Sequence, residues 1–281
     1  MKYLQLLFII ILISACSGTK RAVENSQKET SETVTIKDTV HEIIKEVEEN
    51  KSITNSEEPI IESFTKKEAF NHSSWNNLLQ NNVSQTGNVN YKTFKTNKKT
   101  LLNYITSLGE NMPNETWKKK DKLAFWINAY NAMTVDLILR NYPLKSIKDI
   151  KNPWEQRYWK LADKWYNLDE IEHQILRKMD EPRIHFAIIC ASYSCPKLQN
   201  EAYTSEDLEQ QLTKATKEFL NDSERNSISQ NNIELSKIFK WFSKDFEQNG
   251  SLINFLNLYS DIKISDKAKK SFKDYNWDLN E

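Results

Sequence analysis

Two cysteines stand close together at the end of an apolar run in the segment HFAIICASYSCPKL, residues 185–198. Four residues, two of them serines, separate Cys190 from Cys195. A thiolate is both a nucleophile and a metal ligand, and two thiols at this spacing can also close a disulfide. The segment therefore predicts a reactive thiol, a metal site or a disulfide-stapled loop.

Cys190 is the better candidate for a nucleophile, because it lies where a predicted strand over 183–190 runs into a loop. His185 is a poor base for it, since at about 3.3 Å per residue a strand would separate the two side chains by roughly 16 Å and place them on opposite faces. We expect His185 to be a core histidine. His173, on the separate predicted helix LDEIEHQILRKM, is the candidate base, although its position also fits a solvated charged face.

Three further polar side chains could complete the site. Glu172 falls among the apolar positions of the same predicted helix, and a buried carboxylate should be paired or have a shifted pKa. Asn128 and Asn131 stand three apart on the long apolar helix DKLAFWINAYNAMTVDLILRNYP, and buried amides must be hydrogen-bonded. They either orient a catalytic histidine and bind substrate, or tie the helix to a loop. The candidate catalytic residues are therefore Cys190, His173, Asn128, Asn131 and Glu172.

Other chemistries lack their sequence patterns. Cys190, Cys195 and a histidine could contribute to a zinc site, but no second Cys pair or close His pair completes it, so we expect no metal and no cofactor. The chain has four glycines, too few for a glycine-rich phosphate loop, and no G-x-S-x-G motif for a serine nucleophile. Ser192, Ser194 and Cys195 are instead expected to form a binding loop. The 39 basic and 39 acidic residues form no basic block, which argues against nucleic-acid binding.

The first twenty residues, MKYLQLLFIIILISACSGTK, resemble a lipoprotein signal. The apolar run that begins at Leu4 is too short to span a bilayer and has the size of a signal-peptide core. The sequence ISAC, which ends at Cys16, resembles the bacterial lipobox, in which the cysteine takes a diacylglycerol. We expect a signal peptide over 1–15 and a lipid-anchored protein of the bacterial cell envelope, at the outer membrane. In that compartment a nearby cysteine pair is more often a disulfide than a metal site.

Composition divides the rest of the chain in two. Residues 16–66 are mostly polar and contain no aromatic residue before Phe64, so they cannot bury enough apolar surface to fold, and we expect a disordered tether. Residues 67–281 carry all eight tryptophans and are long enough for one domain with its own core. Long helical patterns and a few short strands predict an α+β, mostly helical fold with a small sheet that contains strand 183–190.

Five ordered motifs resemble those of one family: FWINAYNA (125–132), LDEIEHQILR (168–177), EPRIHFAIICASYSCPKL (181–198), FLND (219–222) and YNWDLN (275–280). Together they are similar to domain of unknown function family 547, from about Trp75 to the end of the chain. The resemblance implies no assigned activity. In eukaryotic relatives the equivalent of Cys195 is often serine, whereas the equivalent of Cys190 is typically cysteine. The resemblance thus implies that a disulfide is not the family's general use of Cys190.

Two functions fit these residues. The first is a thiol-dependent hydrolase or transferase that acts on an envelope peptide or amide, with Cys190 as nucleophile and His173 as base. The alternative is a non-catalytic binding or assembly module, in which a Cys190–Cys195 disulfide staples a recognition loop for an unknown envelope peptide or protein. A glycosidase carboxylate pair leaves no readable sequence pattern and stays open.

The lipobox gives a first testable prediction. Cys16→Ser should abolish palmitate labelling and release the protein from membranes, because the lipid is attached through the cysteine sulfur. Metabolic labelling and membrane fractionation measure both effects. Cys195→Ser is the matched control and should label like the unaltered protein. Unchanged labelling of Cys16→Ser would show that the lipobox interpretation is wrong.

Overall fold

The computed structural model describes residues 69–281 of the chain. The signal peptide (1–15) and the tether (16–66) expected from the sequence lie outside the described residues. The helices of the described part are α1 (Ser73–Asn82), α2 (Tyr91–Thr96), α3 (Lys98–Glu110), α4 (Lys119–Asn141), α5 (beginning with Leu168–Glu170), α6 (Leu208–Asn221), α7 (Ile238–Trp241), α8 (Ser243–Phe246) and α9 (Leu252–Tyr259). Within this part of the chain, none of the helices has both the length and the apolar composition that a membrane span requires.

The central helix of the core is α4. Its side chains from Leu123 to Leu139 are all buried, as its apolar composition on every face predicted. The helix begins where the Asp121 carboxylate accepts a hydrogen bond from the Lys118 backbone N–H (3.0 Å). It ends ahead of Pro143, because a residue that precedes a proline disfavours the helical conformation. Helices α2, α3 and α5 pack against it.

The strands form two small sheets. They are β1 (Trp159–Leu161), β2 (Lys164–Tyr166), β3 (Ser227–Ile228), β4 (Asn232–Leu235) and β5 (Lys269–Phe272). β1 and β2 form an antiparallel hairpin, while β4 lies between β3, with which it is antiparallel, and β5, with which it is parallel. In register, Ile233 of β4 faces Ile228 of β3 and Lys270 of β5. The prediction of an α+β fold with helix in excess is confirmed.

The prediction of a strand over residues 183–190 is wrong. Pro182–Phe186 forms a 3-10 turn, and residues 187–190 continue as irregular chain without a strand partner among the described residues. Proline is well suited to the first position of such a turn, since its fixed φ is already helical. Because this segment is not extended, the strand-based estimate of the distance between the His185 and Cys190 side chains does not apply.

A side chain of α4 takes the place of a neighbouring strand. The Asn131 amide donates to the Ala187 carbonyl (2.9 Å) and accepts from the Ile189 N–H (3.0 Å). Buried backbone groups must be paired, and here one amide pairs two of them. The apolar run before Cys190 therefore reflects burial against α4 and not pairing in a sheet.

The same turn joins the two apolar clusters of the described residues. Ile184 and Ala187 belong to the cluster around α4, whereas Phe186 packs into a second cluster. That second cluster contains the phenylalanines Phe186, Phe219, Phe239, Phe246 and Phe255. Core packing on both sides thus fixes the position of the chain just before Cys190.

Helix α5 changes its helical type twice. It is α-helical at Leu168–Glu170, forms a π turn at Ile171–Ile175 and ends as a 3-10 turn at Leu176–Met179. The helix predicted for LDEIEHQILRKM is therefore present, but it is irregular. π turns within helices frequently occur at functional sites. This one carries Glu172 and His173.

The Asn131 contacts lead to a stability prediction. Asn131→Ala leaves the Ala187 carbonyl and the Ile189 N–H buried and unpaired, so the free energy of unfolding should fall by about 3 kcal/mol. Chemical denaturation measures the change. Asn77→Ala, at an exposed position of α1, is the matched control and should change it by less than about 1 kcal/mol. Equal effects of the two substitutions would show that Asn131 does not hold the segment.

Candidate functional site

Cys190 opens onto a cavity of about 700 Å³. The walls come from residues 188–190, the π turn of α5, the 3-10 turn Pro153–Glu155, helix α7 and the C-terminal residues 275–277. Cavities of this size hold small molecules or short segments of a larger substrate. The fold thus brings together side chains that are far apart in the sequence.

The Cys190 thiol is half-buried and contacts two hydroxyl groups. Its Sγ lies 3.0 Å from Ser192 Oγ and 3.1 Å from Tyr275 OH. The Ser192 hydroxyl also donates to Tyr275 OH (3.1 Å), so its single proton is shared between this oxygen and Cys190 Sγ. On the other side, the backbone N–H of Cys190 donates to Cys195 Sγ (2.8 Å). Hydroxyl and thiol groups can donate hydrogen bonds to a thiolate, so these neighbours favour the ionised form of Cys190.

Burial and these hydrogen-bonding neighbours both shift the pKa of Cys190. Burial raises it, but hydrogen bonds from Cys195, Ser192 and Tyr275 lower it to about 7. Burial also raises the pKa of Cys195 and of Tyr275 well above their usual values, so both groups keep the protons that they donate. Cys190 is therefore the thiolate of the pair and Cys195 the protonated thiol. A thiol that ionises near neutral pH is typical of reactive cysteines.

Neither a disulfide nor a metal cluster is present at this loop. Cys190 and Cys195 are free thiols in this structure, and the stapled loop of the alternative function stays a prediction. Between residues 69 and 281, no three His, Cys, Asp or Glu side chains are grouped so that they could hold a metal ion. Of the other two binding-loop residues, Ser192 is buried beside Cys190, and Ser194 Oγ accepts a hydrogen bond from the Asn276 N–H (2.9 Å).

The C-terminal segment 275–280 covers the 190–195 loop. The Tyr193 N–H donates to the Asp278 carbonyl (2.6 Å), and two further backbone hydrogen bonds join the two segments. These contacts hold Tyr275 against Cys190. Sequence reasoning missed Tyr275, although the motif YNWDLN was noted, because nothing in a terminal motif indicates which loop it will cover.

Glu172 lies in the cavity wall beside a tyrosine. It is buried, and the Tyr130 hydroxyl donates to its Oε2 (3.0 Å). Burial raises the pKa of Glu172, although His173, Tyr130 and Arg177 act in the opposite direction. The expectation of a paired carboxylate with a shifted pKa is confirmed. A carboxyl group with a raised pKa keeps its proton to a higher pH and can act as an acid.

His173 also lines the cavity, but its ring is engaged on both sides. Its Nδ1 lies 2.8 Å from a guanidinium nitrogen of Arg177. Because arginine can only donate, Nδ1 is the acceptor and the ring proton sits on Nε2, 3.5 Å from Asp169 Oδ1. The lone pair of His173 thus faces Arg177 and not Cys190. Its role as the base for Cys190 stays a prediction, and this hydrogen bond argues against it.

His185 occupies a neighbouring part of the wall. Its Nε2 lies 2.8 Å from Asp245 Oδ2, and Arg177 binds the same carboxylate through two hydrogen bonds (2.6 and 2.9 Å). Its ring also stacks on Phe242, with centroids 4.0 Å apart. Burial lowers the pKa of His185, although the contact with Asp245 opposes this. His185 is therefore a buried, neutral histidine with a fixed partner, as expected, whereas sequence reasoning missed Asp245.

The two α4 asparagines are bonded to backbone and do not line the cavity. Asn128 donates to the Tyr203 carbonyl (2.7 Å) and accepts from the Tyr203 N–H (3.0 Å). Asn131 holds the chain before Cys190 in the same manner. Of the two interpretations left open by the sequence, these contacts favour ties between helix and loop over a catalytic role.

An aromatic wall, defined by Trp154, Trp241, Tyr275 and Trp277, lines one side of the cavity. Neighbouring rings have centroids 4.6 to 6.1 Å apart. Trp241 remains 46% exposed, and Lys148 Nζ lies 4.2 Å from the centroid of the Trp277 ring. Exposed aromatic rings next to a cavity provide an apolar surface for a ligand.

A family model described as "Protein of unknown function, DUF547" matches residues 114–220. The match includes α4, α5 and the loop from Cys190 to Cys195, and it confirms the resemblance drawn from the sequence motifs. The C-terminal segment that supplies Tyr275 lies beyond the matched residues. No curated protein and no solved structure matches the chain.

The surroundings of Cys190 predict how its alkylation depends on pH. Iodoacetamide reacts with the thiolate, so the rate should rise with pH and reach half its maximum near pH 7, the pKa of Cys190. Tyr275→Phe removes a donor that stabilises the thiolate, so it should raise this pKa and move the midpoint up by about one pH unit. Peptide mass spectrometry of the labelled Cys190 measures the rate.

Tyr193→Phe is the matched control for this experiment. Tyr193 lies in the same loop, and the residue is 45% exposed, whereas Tyr275 contacts Cys190. In Tyr193→Phe, the pH midpoint of Cys190 alkylation should equal that of the unaltered protein. A Tyr275→Phe midpoint that also stays unchanged would show that the tyrosine does not stabilise the thiolate.

Proposed function

We propose that the domain is a thiol-dependent hydrolase or transferase that cleaves an amide or peptide bond, with Cys190 as the nucleophile. One observation carries this proposal: a half-buried thiol at a cavity of about 700 Å³ lies within 3.1 Å of the hydroxyls of Ser192 and Tyr275. A thiol in this position is ionised in part at neutral pH and needs no base to become a nucleophile.

The reaction forms a thioester. Cys190 Sγ adds to the carbonyl carbon of the substrate, and the π electrons of the carbonyl group move to its oxygen. When these electrons return, the carbon–nitrogen bond breaks and the amine leaves with a proton. Attack on the thioester by water releases an acid and gives a hydrolase, whereas attack by a second amine or alcohol gives a transferase.

Glu172 is the candidate donor of the proton that the leaving amine needs. Burial raises its pKa and so favours the protonated carboxyl group, and Tyr130 occupies only one of its two oxygens. After the amine has left, the Glu172 carboxylate can accept a proton from the attacking water. In this scheme His173 transfers no proton, because its Nδ1 accepts a hydrogen bond from Arg177.

The cavity walls favour a polar substrate with an apolar or planar group. The aromatic wall offers apolar contact, while the charged residues at the cavity are of both signs, with Lys148 and Lys151 against Glu155 and Asp169. A hydrocarbon would leave these charges without partners, and a polyanion would be repelled by the carboxylates. A peptide or a similar amide satisfies both parts of the lining.

We also propose that Cys16 anchors the protein to the envelope membrane. The proposal rests on the apolar run and the sequence ISAC within residues 1–16, because Cys16 lies outside the described residues. An anchored domain would meet peptides and amides of the envelope, and this is the substrate class that we assign to Cys190.

Acylation by p-nitrophenyl acetate tests the proposed function. The reduced full chain carrying Cys16→Ser should gain one acetyl group on Cys190 and release a burst of p-nitrophenolate. Cys190→Ala should lose both, while Cys195→Ala should still be acetylated at Cys190, more slowly. Intact and peptide mass spectrometry locate the group. Glu172→Gln should slow acylation by acetyl p-nitroanilide, whose leaving group needs a proton, about 10²-fold and more than acylation by the ester.

Acetylation that is spread over lysines without preference for Cys190 would contradict the proposal. The non-catalytic binding module would then be the better interpretation of the cavity. If Glu172→Gln slows acylation by the ester and by the anilide equally, Cys190 can still be the nucleophile, but Glu172 is not the acid.

A further inference from the structure

The Cys190–Cys195 loop places two free sulfur atoms side by side. The Cys190 N–H donates to Cys195 Sγ at 2.8 Å. Since three covalent bonds join that nitrogen to the sulfur of its own residue, the two sulfurs lie at most about 7 Å apart. Their exposure differs, because Cys190 is half-buried at the cavity whereas Cys195 is 5% exposed.

The backbone of the loop produces this pairing. Ala191 has a φ of 54°, in the left-handed region that a side chain disfavours, so the chain reverses directly after Cys190. The Cys195 N–H then donates to the Ser192 carbonyl (3.0 Å), which closes a turn. The approach of Cys195 to Cys190 is therefore a property of the folded loop and needs no unfolding.

We propose that Cys190 is an oxidation site for hydroperoxides and that Cys195 is the resolving thiol, which converts the oxidised residue into a reversible intramolecular disulfide. This inference rests on the same Cys190 thiolate as the proposed function. It assigns a role to Cys195, which the acyl-transfer scheme uses only as a hydrogen-bond donor.

The chemistry has two balanced steps. The Cys190 thiolate attacks one oxygen of hydrogen peroxide, the O–O bond breaks, and the departing hydroxide takes a proton to become water, which leaves a sulfenic acid on Cys190. The Cys195 sulfur then attacks the Cys190 sulfur, the S–O bond breaks, and the hydroxide leaves with the Cys195 proton as a second water. The two sulfurs lose two electrons in total, and the peroxide is reduced by two.

The different positions of the two thiols fit these two roles. Both cysteines line the cavity, but Cys190 is half-buried whereas Cys195 is almost fully buried, so a peroxide in the cavity has better access to Cys190. The hydroxyls of Ser192 and Tyr275 stabilise the reduced, thiolate form of Cys190. A stabilised thiolate makes a disulfide easier to reduce, so a dithiol reductant should reverse the oxidation. While the disulfide is present, Cys190 cannot form a thioester.

Hydrogen peroxide and dimedone, which traps sulfenic acids, test the inference on the full chain with Cys16→Ser as background. In that background, peptide mapping after peroxide should show a Cys190–Cys195 disulfide that dithiothreitol reduces. With Cys195→Ser added, the sulfenic acid on Cys190 cannot be resolved, so dimedone labelling of Cys190 should rise about tenfold. Cys190→Ser should give neither product.

Two results would overturn the inference: the absence of the Cys190–Cys195 disulfide in the background protein, or equal dimedone labelling with and without Cys195. The first readout does not depend on how well the Cys195→Ser variant folds. Acetylation by p-nitrophenyl acetate separates the two proposals. A protein that is acetylated on Cys190 but forms no disulfide retains the proposed function alone, and one that forms the disulfide without acetylation retains only the oxidation site.

Discussion

The amide of Asn131 is the contact on which the site depends. It pairs both with the Ala187 carbonyl and with the Ile189 N–H, and so it replaces the neighbouring strand that a buried extended segment would need. The chain before Cys190 is thereby fixed to the most buried helix of the core. A single side chain can do this because a buried amide has both a donor and an acceptor, and each must be used. The position of the thiol follows from this attachment.

The ionisation of Cys190 differs in its physical origin from that of a thiol paired with histidine. Its donors are two hydroxyls and a second thiol, and one hydroxyl comes from the C-terminal segment. The two histidines of the cavity are held elsewhere, His173 by Arg177 and His185 by Asp245. Neutral donors suffice because several hydrogen bonds to one buried anion together offset the loss of its hydration.

Local pattern was a good guide wherever burial alone decides the structure. The long apolar helix α4 and the burial of Glu172 both follow from which side chains avoid water. The same reasoning failed at residues 183–190, because an apolar run indicates burial but does not say what pairs its backbone. Because of that error, His185 was rejected as the base for Cys190 from a distance estimate that applies only to an extended strand.

The sequence by itself determined the class of fold, the buried helix, the choice of Cys190 as the candidate nucleophile and the resemblance to the family, because these depend on residue type and local periodicity. The tertiary structure alone decided the partners of the thiol. Tyr275 is 85 residues away from Cys190 along the chain, and Asp245 is 60 residues from His185. Such contacts arise from the closure of long loops and the packing of separate elements, which local sequence does not encode. For the same reason, only the folded loop shows that Cys195 is held beside Cys190 as a free thiol.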